Sequence, residues 1–245
     1  MFKTKSGVIS SQDRDESDVI DGTIEKKGYR QRWVREVKKA KNAEHPFNHG
    51  IHMDTHHIIS AEAVNQSDLG DDLIRKGYNI NLLENLVGLP ATLPAACQLQ
   101  CQLHRGDHTY ARPKERPYHE HVAKLLLKKE DNILNCYGRT KVREKNTEIH
   151  KLLDPMSVAI LEKINKFKLP ITKIYKNFHP DSVIGCGNHF DVNDSELSGY
   201  KCKSKRKHYR TSQRLGIDKR YQDSDVTGNE KTITFIGTWV PEVKK

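Results

Sequence analysis

Two pairs of histidines are the side chains of this 245-residue chain with the strongest potential for chemistry. His56 and His57 are adjacent in the strand-like segment THHII, and His104 and His108 are four residues apart in LHRGDH. Neighbouring side chains on a strand point to opposite faces, so one imidazole of the first pair can face a metal ion while the other faces a substrate. On a helix, the spacing of the second pair would put both rings on one face, where they can hold one ion.

Arg105 argues against a zinc protease, which is one class of enzyme that uses the spacing of the second pair. Such proteases place a glutamate directly after the first histidine as the general base. In this chain that position holds Arg105, so the pattern lacks the base. A metal site with a different reaction is the better interpretation.

Three ordered blocks around these histidines resemble the AHH nucleases, a branch of the HNH and endonuclease VII superfamily that is common among bacterial toxins. The blocks are THHIIS, NINLLENLVGLP (with Asn81 and Asn85) and LHRGDHTY. The family pattern reads A-H-H-I-I-P, then N-x-x-x-N-G-x-x-L-P, then H-x-x-x-H-x-x-Y. Thr55, Ser60 and Leu86 stand where the family has alanine, proline and glycine, and none of them replaces a catalytic group. The resemblance covers about residues 50 to 134.

The resemblance implies a role for each matched side chain. His57 looks like the general base, because a neutral imidazole can take a proton from water near pH 7. Asn85 looks like the asparagine that ties the connecting loop to the backbone and holds the strand of His57 in register, which is a supporting role. The other matched histidines look like the ligands of one divalent ion in a ββα-metal (His-Me finger) site: His56, His104 and His108.

Three further residues near the histidines have two interpretations each. Arg105 is a candidate phosphate clamp or a solvent-facing helix residue. Tyr110 is a candidate substrate contact or a packing residue. Asp54 could orient a ligand ring, add a ligand, or do neither.

The sequence leaves the identity of the metal open. Imidazole ligands favour zinc or nickel over magnesium, which prefers oxygen. Nucleases of the family that the chain resembles often work with magnesium or manganese. The expected cofactor is therefore one divalent ion among these four.

These side chains need a scaffold, and the mixture of helical and strand-like patterns predicts an α+β fold with a mixed and partly irregular C-terminal region. The resemblance implies that the centre of this fold is an HNH-like ββα-metal core wrapped by helices. A basic helix is expected within residues 26–44, where Tyr29, Trp33, Val37 and Ala40 share one face. Its basic side is either solvated or in contact with phosphates. The other predicted elements are a strand within 51–60, a helix over 61–75, an ordered segment ending at Pro90, and helices over 93–110 (carrying HRGDH), 118–134 (starting after Pro117) and 157–167.

The predicted organisation has three parts. Residues 1–25 form a flexible acidic arm, residues 26–168 the nuclease domain, and residues 169–245 a region of open role that ends in the strand-like or hairpin-like KTITFIGTWV. The basic run at residues 201–210 is either a solvated loop or a substrate-facing patch.

The cysteines and nearby histidines suggest a second metal site, for which the sequence signal is weaker than for the first. Cys186, His189, Cys202 and His208 have a finger-like spacing but lack the paired pattern of a zinc finger. Cys97 and Cys101 are expected to be small buried side chains. Five scattered cysteines do not form a disulfide framework, which is typical of a reducing compartment.

Charge and hydropathy limit the classes of partner that the chain is expected to bind. The net charge of +10 suits a polyanion, so nucleic acid is expected, DNA before RNA. No apolar run is long enough for a membrane span or a cleavable signal peptide.

The resemblance further implies an antibacterial toxin, neutralised by an acidic immunity protein and carried by a secretion machine such as type VI. Such an effector would be cytoplasmic in its producer and then delivered into the cytoplasm of a target cell.

Two rival functions remain at this stage. The first is a housekeeping or mobile-element HNH endonuclease, which shares the chemistry and differs in biology. The second is a zinc-stabilised module that binds nucleic acid without catalysis.

Overall fold

The structure is a computed structural model that describes residues 28–137, 147–189, 200–214 and 230–244. The predicted acidic arm, residues 1–25, lies outside these residues. The described elements confirm an α+β fold of helices with small antiparallel sheets. The helices are α1 (Tyr29–Val37), α2 (Ala61–Gln66), α3 (Gly70–Arg75), α4 (Leu93–Leu99), α5 (Tyr118–Leu127), α6 (Glu130–Asn135) and α7 (Thr147–Asn165), and the strands are β1 (Met53–His57), β2 (Leu86–Pro90), β3 (Ser212–Arg214) and β4 (Glu230–Thr232).

The two-stranded antiparallel sheet of β1 and β2 positions the first pair of histidines. We call it the hairpin, although the segment that connects its strands contains α2 and α3. The two strands pair antiparallel, from Met53 opposite Pro90 to His57 opposite Leu86. Helix α1 packs across both strands, and the indole of Trp33 lies directly against Gly88. A Cβ at position 88 would lie only 2.1 Å from Cζ2 of Trp33. Glycine is therefore required there, because a larger residue would push α1 off the hairpin.

Buried side chains form three clusters around the hairpin. The central cluster joins β2 and the segment just after β1 to α2, α3, α5, α6 and α7, and includes Ile58 and Leu126. The α1 cluster lies on the side of Trp33 and Phe47 and includes Ile233 from the C-terminal region. The α4 cluster contains Leu103, Phe178 and other residues that flank α4. Segments from the C-terminal region thus complete the packing on two sides of the hairpin.

The predicted helix over residues 93–110 is wrong in its second half. Helix α4 ends at Leu99, where Gln100 takes a left-handed conformation with φ of 56°. Gly106 (φ 70°) and His108 (φ 54°) are also left-handed, so the segment LHRGDH is a loop with a turn. A right-handed helix cannot contain such residues. The histidines at 104 and 108 are consequently brought together by a turn rather than by helical spacing.

Other predicted helices differ in their limits. Residues 61–75 form two short helices, separated at Asp68 (φ 57°), and residues 118–134 are divided between α5 and α6. Helix α7 begins at Thr147, well before the predicted start at residue 157, and contains Pro155. An uninterrupted apolar stripe explains why the helix tolerates this proline, since burial along its whole length outweighs one lost hydrogen bond. The stripe consists of Ile149, Leu153, Met156, Ile160 and Ile164.

The C-terminal region is mostly irregular in its described parts. β3 and β4 pair as a short antiparallel sheet, and the segment that follows β4 runs back along the α1 cluster, where Trp239 is partly buried. Among the described residues, every helix is too short or too polar to cross a bilayer.

Candidate metal centre

Three imidazoles converge at the end of β1. His56 comes from the strand, whereas His104 and His108 come from the loop after α4. Nδ1 of His56 lies 3.1 Å from Nε2 of His104, and Nε2 of His108 lies 3.3 Å from the same atom. All three ligand atoms lie within 4.8 Å of one another. In a tetrahedral site with metal–nitrogen distances of about 2.0–2.1 Å, two nitrogens are about 3.3 Å apart, so the spacing fits a shared ion.

The hydrogen bonds behind two of the rings fix which nitrogen carries the proton. The hydroxyl of Tyr118 donates its one proton to the carbonyl of Ile58 (2.7 Å), so it must accept from Nε2 of His56 (3.0 Å). Nδ1 of His108 donates to the carbonyl of Ile171 (3.1 Å). His56 and His108 therefore both turn lone pairs toward His104. A single N–H cannot serve two such lone pairs well, whereas a cation can.

Asp54 supports the third ring. Its Oδ2 lies 3.7 Å from Nδ1 of His104, and its Oδ1 lies 3.7 Å from the Arg30 guanidinium. Burial raises the pKa of Asp54, but His104, His52 and Arg30 outweigh burial and hold this pKa below its usual value. The resulting carboxylate favours a proton on Nδ1 of His104 and a lone pair on Nε2. Of the interpretations of Asp54, the structure supports orientation of a ligand ring.

Burial keeps His56 neutral. The ring is buried, and burial followed by the neighbouring His104 and His108 lowers the pKa of His56 well below its usual value. A neutral imidazole is the form that binds a metal ion.

His57 points away from the three converging rings, as the alternation along β1 predicts. Its Nε2 lies 2.8 Å from Oδ1 of Asn81, and its ring packs on Tyr29 with centroids 4.3 Å apart. Because Oδ1 only accepts, Nε2 of His57 carries the proton in this contact, and the lone pair of the neutral ring is on Nδ1. Asn81 is thus a positioning residue, and its place in the motif alone predicted no role for it.

Asn85 ties the segment after β1 to its surroundings. Its Oδ1 accepts from the backbone N–H of Ile59 (2.7 Å) and from the Ser157 hydroxyl (2.9 Å), while its Nδ2 donates to the carbonyls of Ile59 and Ile80 (both 2.9 Å). Two of these partners, Ile59 and Ile80, belong to the segment that connects β1 to β2. The contacts hold the chain just beyond His57 against the connecting loop and α7.

The two candidate substrate contacts lie in different surroundings. Arg105 is half-buried in the loop between the two ligand histidines. Tyr110 packs toward Tyr175 at a centroid distance of 6.2 Å and belongs to the α4 cluster. Its position fits the packing interpretation.

His119 and Tyr118 are further supporting residues that the sequence analysis did not identify. Nδ1 of His119 accepts from the Ser60 hydroxyl (2.8 Å), and its Nε2 donates to the carbonyl of Asp107 (3.2 Å). His119 thus fastens the turn that carries His108 to the segment after β1. Both residues begin α5, and their only sequence signal was the predicted helix start after Pro117.

The basic side of α1 is partly directed inward. Arg30 is buried and donates to the carbonyl of Met53 (3.0 Å), and Arg32 donates to the carbonyl of Asn81 (2.6 Å). These two arginines hold β1 and the loop of Asn81 in place. Arg30 and Arg32 therefore contact the backbone of the protein, and fewer basic side chains of α1 remain to contact phosphates.

Comparison with known proteins gives a match to one family model. A family model described as a nuclease family of the HNH/ENDO VII superfamily with conserved AHH matches residues 37–163, which is more than half of the chain. No curated protein and no solved structure matches significantly. The matched range contains β1, β2, the loop after α4 and α5, and therefore every histidine of the centre.

Proposed function

Since the chain belongs to the AHH nuclease family of the HNH/ENDO VII superfamily, and is thus a metal-dependent nuclease, we propose that it is an endonuclease that hydrolyses phosphodiester bonds of DNA. One observation carries the proposal: imidazole nitrogens from two distant chain segments lie within 4.8 Å of one another, and the neighbouring His57 on the same strand is positioned separately by Asn81. The roles that we assign are metal ligation for His56, His104 and His108 and general-base catalysis for His57.

The three rings fit a divalent cation by their donor chemistry. Each ring has one nitrogen facing a supporting oxygen and the other facing the centre. Nitrogen donors favour zinc or nickel, and manganese or magnesium would need additional oxygens from phosphate and water. A cation held there would supply Lewis-acid stabilisation of the negative charge that develops on the phosphate and the departing oxygen.

His57 supplies the base. With Nε2–H fixed on Asn81, its Nδ1 takes a proton from water, and the resulting hydroxide attacks phosphorus while the 3′ oxygen leaves. A positioned base of this kind contributes about 10²- to 10⁴-fold to the rate. Asn85 keeps β1 and the connecting loop in register. The position of the base, His57, relative to the ligand His56 on the same strand is thereby fixed.

The substrate class follows from charge and position. A net charge of +10 favours a polyanion, and Arg105 lies in the loop between two of the ligands, where a guanidinium can bind a phosphate. We therefore propose Arg105 as a phosphate contact and nucleic acid as the substrate class. Within this class we propose DNA, and the assay below tests RNA as the alternative.

The decisive experiment measures the nicking of plasmid and the cleavage of total RNA, each with and without a chelator. The wild-type protein and His57→Ala are compared in these assays. We expect His57→Ala to retain bound metal and DNA affinity and to lose nicking by 10²-fold or more. His104→Ala and His108→Ala should lose metal first and activity as a consequence. The matched control is His189→Ala, an exposed histidine, which should behave as the wild type.

Two outcomes would contradict the proposal. Nicking by His57→Ala at the wild-type rate would remove the base assignment. Metal-dependent folding with DNA binding but no cleavage in the wild type would instead favour the non-catalytic zinc-stabilised module.

We also propose a biological role as an antibacterial toxin, supported by the resemblance of the motifs to toxin nucleases and by the basic charge. In this proposal a secretion-system carrier delivers the protein into the cytoplasm of a target cell, and an acidic immunity protein protects the producer. Induced expression in a bacterium should stop growth, and His57→Ala should not. Growth that is equal for both proteins would favour a housekeeping or mobile-element endonuclease.

A further inference from the structure

A second group of metal-binding side chains lies apart from the histidine centre. Nε2 of His208 is 3.3 Å from Sγ of Cys186 and 3.2 Å from Sγ of Cys202. With Sγ of Cys97, the four ligand atoms lie within 4.8 Å of one another. Around a tetrahedral zinc ion with Zn–S of about 2.3 Å and Zn–N of about 2.0–2.1 Å, sulfur and nitrogen are about 3.6 Å apart. The observed spacing differs from this by only a few tenths of an ångström. We call these four residues the cysteine cluster.

Part of this group is predicted from the spacing of cysteines and histidines in the sequence. Cys186, Cys202 and His208 belong to it, but His189 does not: it is exposed and packs on Tyr200, with centroids 5.6 Å apart. Cys97 takes the fourth place. It comes from α4, far away in the chain, so no local spacing could reveal it.

The backbone around Cys186 is shaped for close approach of the sulfurs. Gly187 has φ of 59°, which gives a tight turn after the cysteine. A Cβ on Gly185 would lie 2.7 Å from Cβ of Cys202 and 3.2 Å from Sγ of Cys97. A larger residue at 185 would occupy the space between the ligands. The backbone N–H of Arg206 donates to Sγ of Cys202 (3.3 Å), a contact that stabilises a thiolate.

Two buried or half-buried polar side chains hold the ligand-bearing segments together. The Arg206 guanidinium donates to five backbone carbonyls between residues 177 and 184, which fixes the chain before Cys186 against the chain after Cys202. Oε1 of Gln98, on α4, accepts from the backbone N–H of His208 (2.5 Å). The geometry of the cysteine cluster is thus supported from outside it.

The other two cysteines show what a packing cysteine looks like in this chain. Cys101 donates to the carbonyl of Trp239 (2.9 Å), and Cys136 lies near the carbonyl of Tyr137 (3.7 Å). In the cysteine cluster, by contrast, sulfur and imidazole atoms face one another in the interior, with Cys97 and Cys186 0% and His208 2% exposed. All five cysteines are free thiols.

We propose that Cys97, Cys186, Cys202 and His208 bind one zinc ion as a structural site, separate from the nuclease centre and beyond the proposed function. Four protein ligands fill a tetrahedral zinc and leave no position for a substrate. The ion would fasten the described segments 175–189 and 200–211 to α4. Helix α4 leads directly into the loop of His104 and His108, so the ion would also stabilise the base of that loop.

Cobalt substitution of the full-length protein tests the proposal, because Co²⁺ bound by thiolates gives a sulfur-to-cobalt charge-transfer band that imidazole ligands do not give. We expect this band in the wild type and its loss in Cys186→Ser. Two controls should keep it: Cys101→Ser, which changes a packing cysteine, and His104→Ala, which removes a ligand of the nuclease centre. Retention in His104→Ala, together with loss of nicking, separates the two metal sites.

A measurement on the wild type covers the case in which Cys186→Ser fails to fold. Titration of the zinc-loaded protein with an organomercurial, followed with a chromogenic chelator, should release about one equivalent of zinc as thiols are modified. Absence of the charge-transfer band in the wild type would overturn the proposal. So would an equal loss of the band in Cys101→Ser, or a disulfide between cluster cysteines in the mass of the unreduced protein.

Discussion

At the scale of single residues, the histidine centre depends on side chains that never touch the proposed ion. Tyr118, Asp54 and Asn81 each set the orientation or the proton position of one imidazole. Residues in this position typically change metal affinity or activity by 10- to 100-fold when they are removed. The effect of each substitution should therefore depend on which histidine its side chain contacts.

Asn81→Ala should lower kcat of DNA nicking by about 10- to 100-fold and leave metal content and KM unchanged, because it frees the ring of His57 without touching a ligand. Asn81→Asp keeps an acceptor oxygen and should retain more activity. The matched control is Asn65→Ala, on the exposed side of α2. A change in metal content without a change in kcat would show that Asn81 acts on the ligands instead.

Tyr118→Phe should have the opposite signature. It removes the acceptor for Nε2–H of His56 and leaves the carbonyl of Ile58 without this donor. Metal affinity should fall by about 10- to 100-fold, and activity should recover when metal is added in excess. Equilibrium titration with zinc measures the affinity, and Tyr137→Phe, at a position 83% exposed, is the control. Activity that stays low at saturating metal would contradict this assignment.

At the scale of elements, the loop after α4 brings the ligands together, and its conformation was the part of the site that the sequence did not predict. The residue types and the family motif identified the histidines, and alternation along β1 separated His56 from His57. The helical spacing predicted correctly that His104 and His108 are close together, but they are close because of a turn and not because of a helix. Gly106 lies inside the predicted helix, and an isolated glycine there argues against a continuous helix, so this signal was present in the sequence. The left-handed conformation of Gln100 and His108 carried no such signal, since neither residue is a glycine.

Gln100 offers a test of this loop. A non-glycine residue in the left-handed region is strained by about 1 kcal/mol, so Gln100→Gly should raise the free energy of unfolding by about that amount. For a chain of this size the thermal midpoint should rise by about 2–4 °C. The control is Lys128→Gly at the end of α5, where φ is −66°. Glycine there relieves no strain, so the midpoint should stay level or fall. Equal shifts for both variants would contradict the argument.

At the scale of the whole molecule, the C-terminal segments complete the packing around the hairpin. Ile233 is buried in the α1 cluster, Thr92 donates to Gln213 (2.6 Å), and Trp239 packs on His45 with ring centroids 4.9 Å apart. No role for residues 169–245 could be predicted from the sequence, because these partners lie more than a hundred residues apart in the chain and produce no periodic pattern. The proposed boundary at residue 169 stays a prediction. The contacts imply that unfolding of the C-terminal segments should expose the α1 side of the nuclease core.

His45 lies at this junction and gives it a pH dependence. Its ring packs between Trp33 (5.6 Å) and Trp239, and its Nδ1 accepts from the backbone N–H of Phe47 (3.2 Å). Burial lowers the pKa of His45 to about 4. The unfolded chain, with an ordinary histidine pKa of about 6.5, therefore binds the proton first as the pH falls. The stability associated with neutral His45 is present above about pH 6.5 and is lost as the pH falls toward 4.

This loss should amount to about 2–3 kcal/mol between pH 7 and pH 4, at about 1.4 kcal/mol for each unit of pKa difference. Urea unfolding followed by tryptophan fluorescence measures it directly, because the chain has only two tryptophans and both pack on His45. His45→Gln cannot bind the proton, so its unfolding free energy should fall less over this range than that of the wild type. The control His189→Gln changes an exposed histidine and should keep the wild-type slope. If both variants lose the same stability as the wild type on acidification, the acid-sensitive group lies elsewhere, and the junction of Trp239 with α1 does not control acid unfolding.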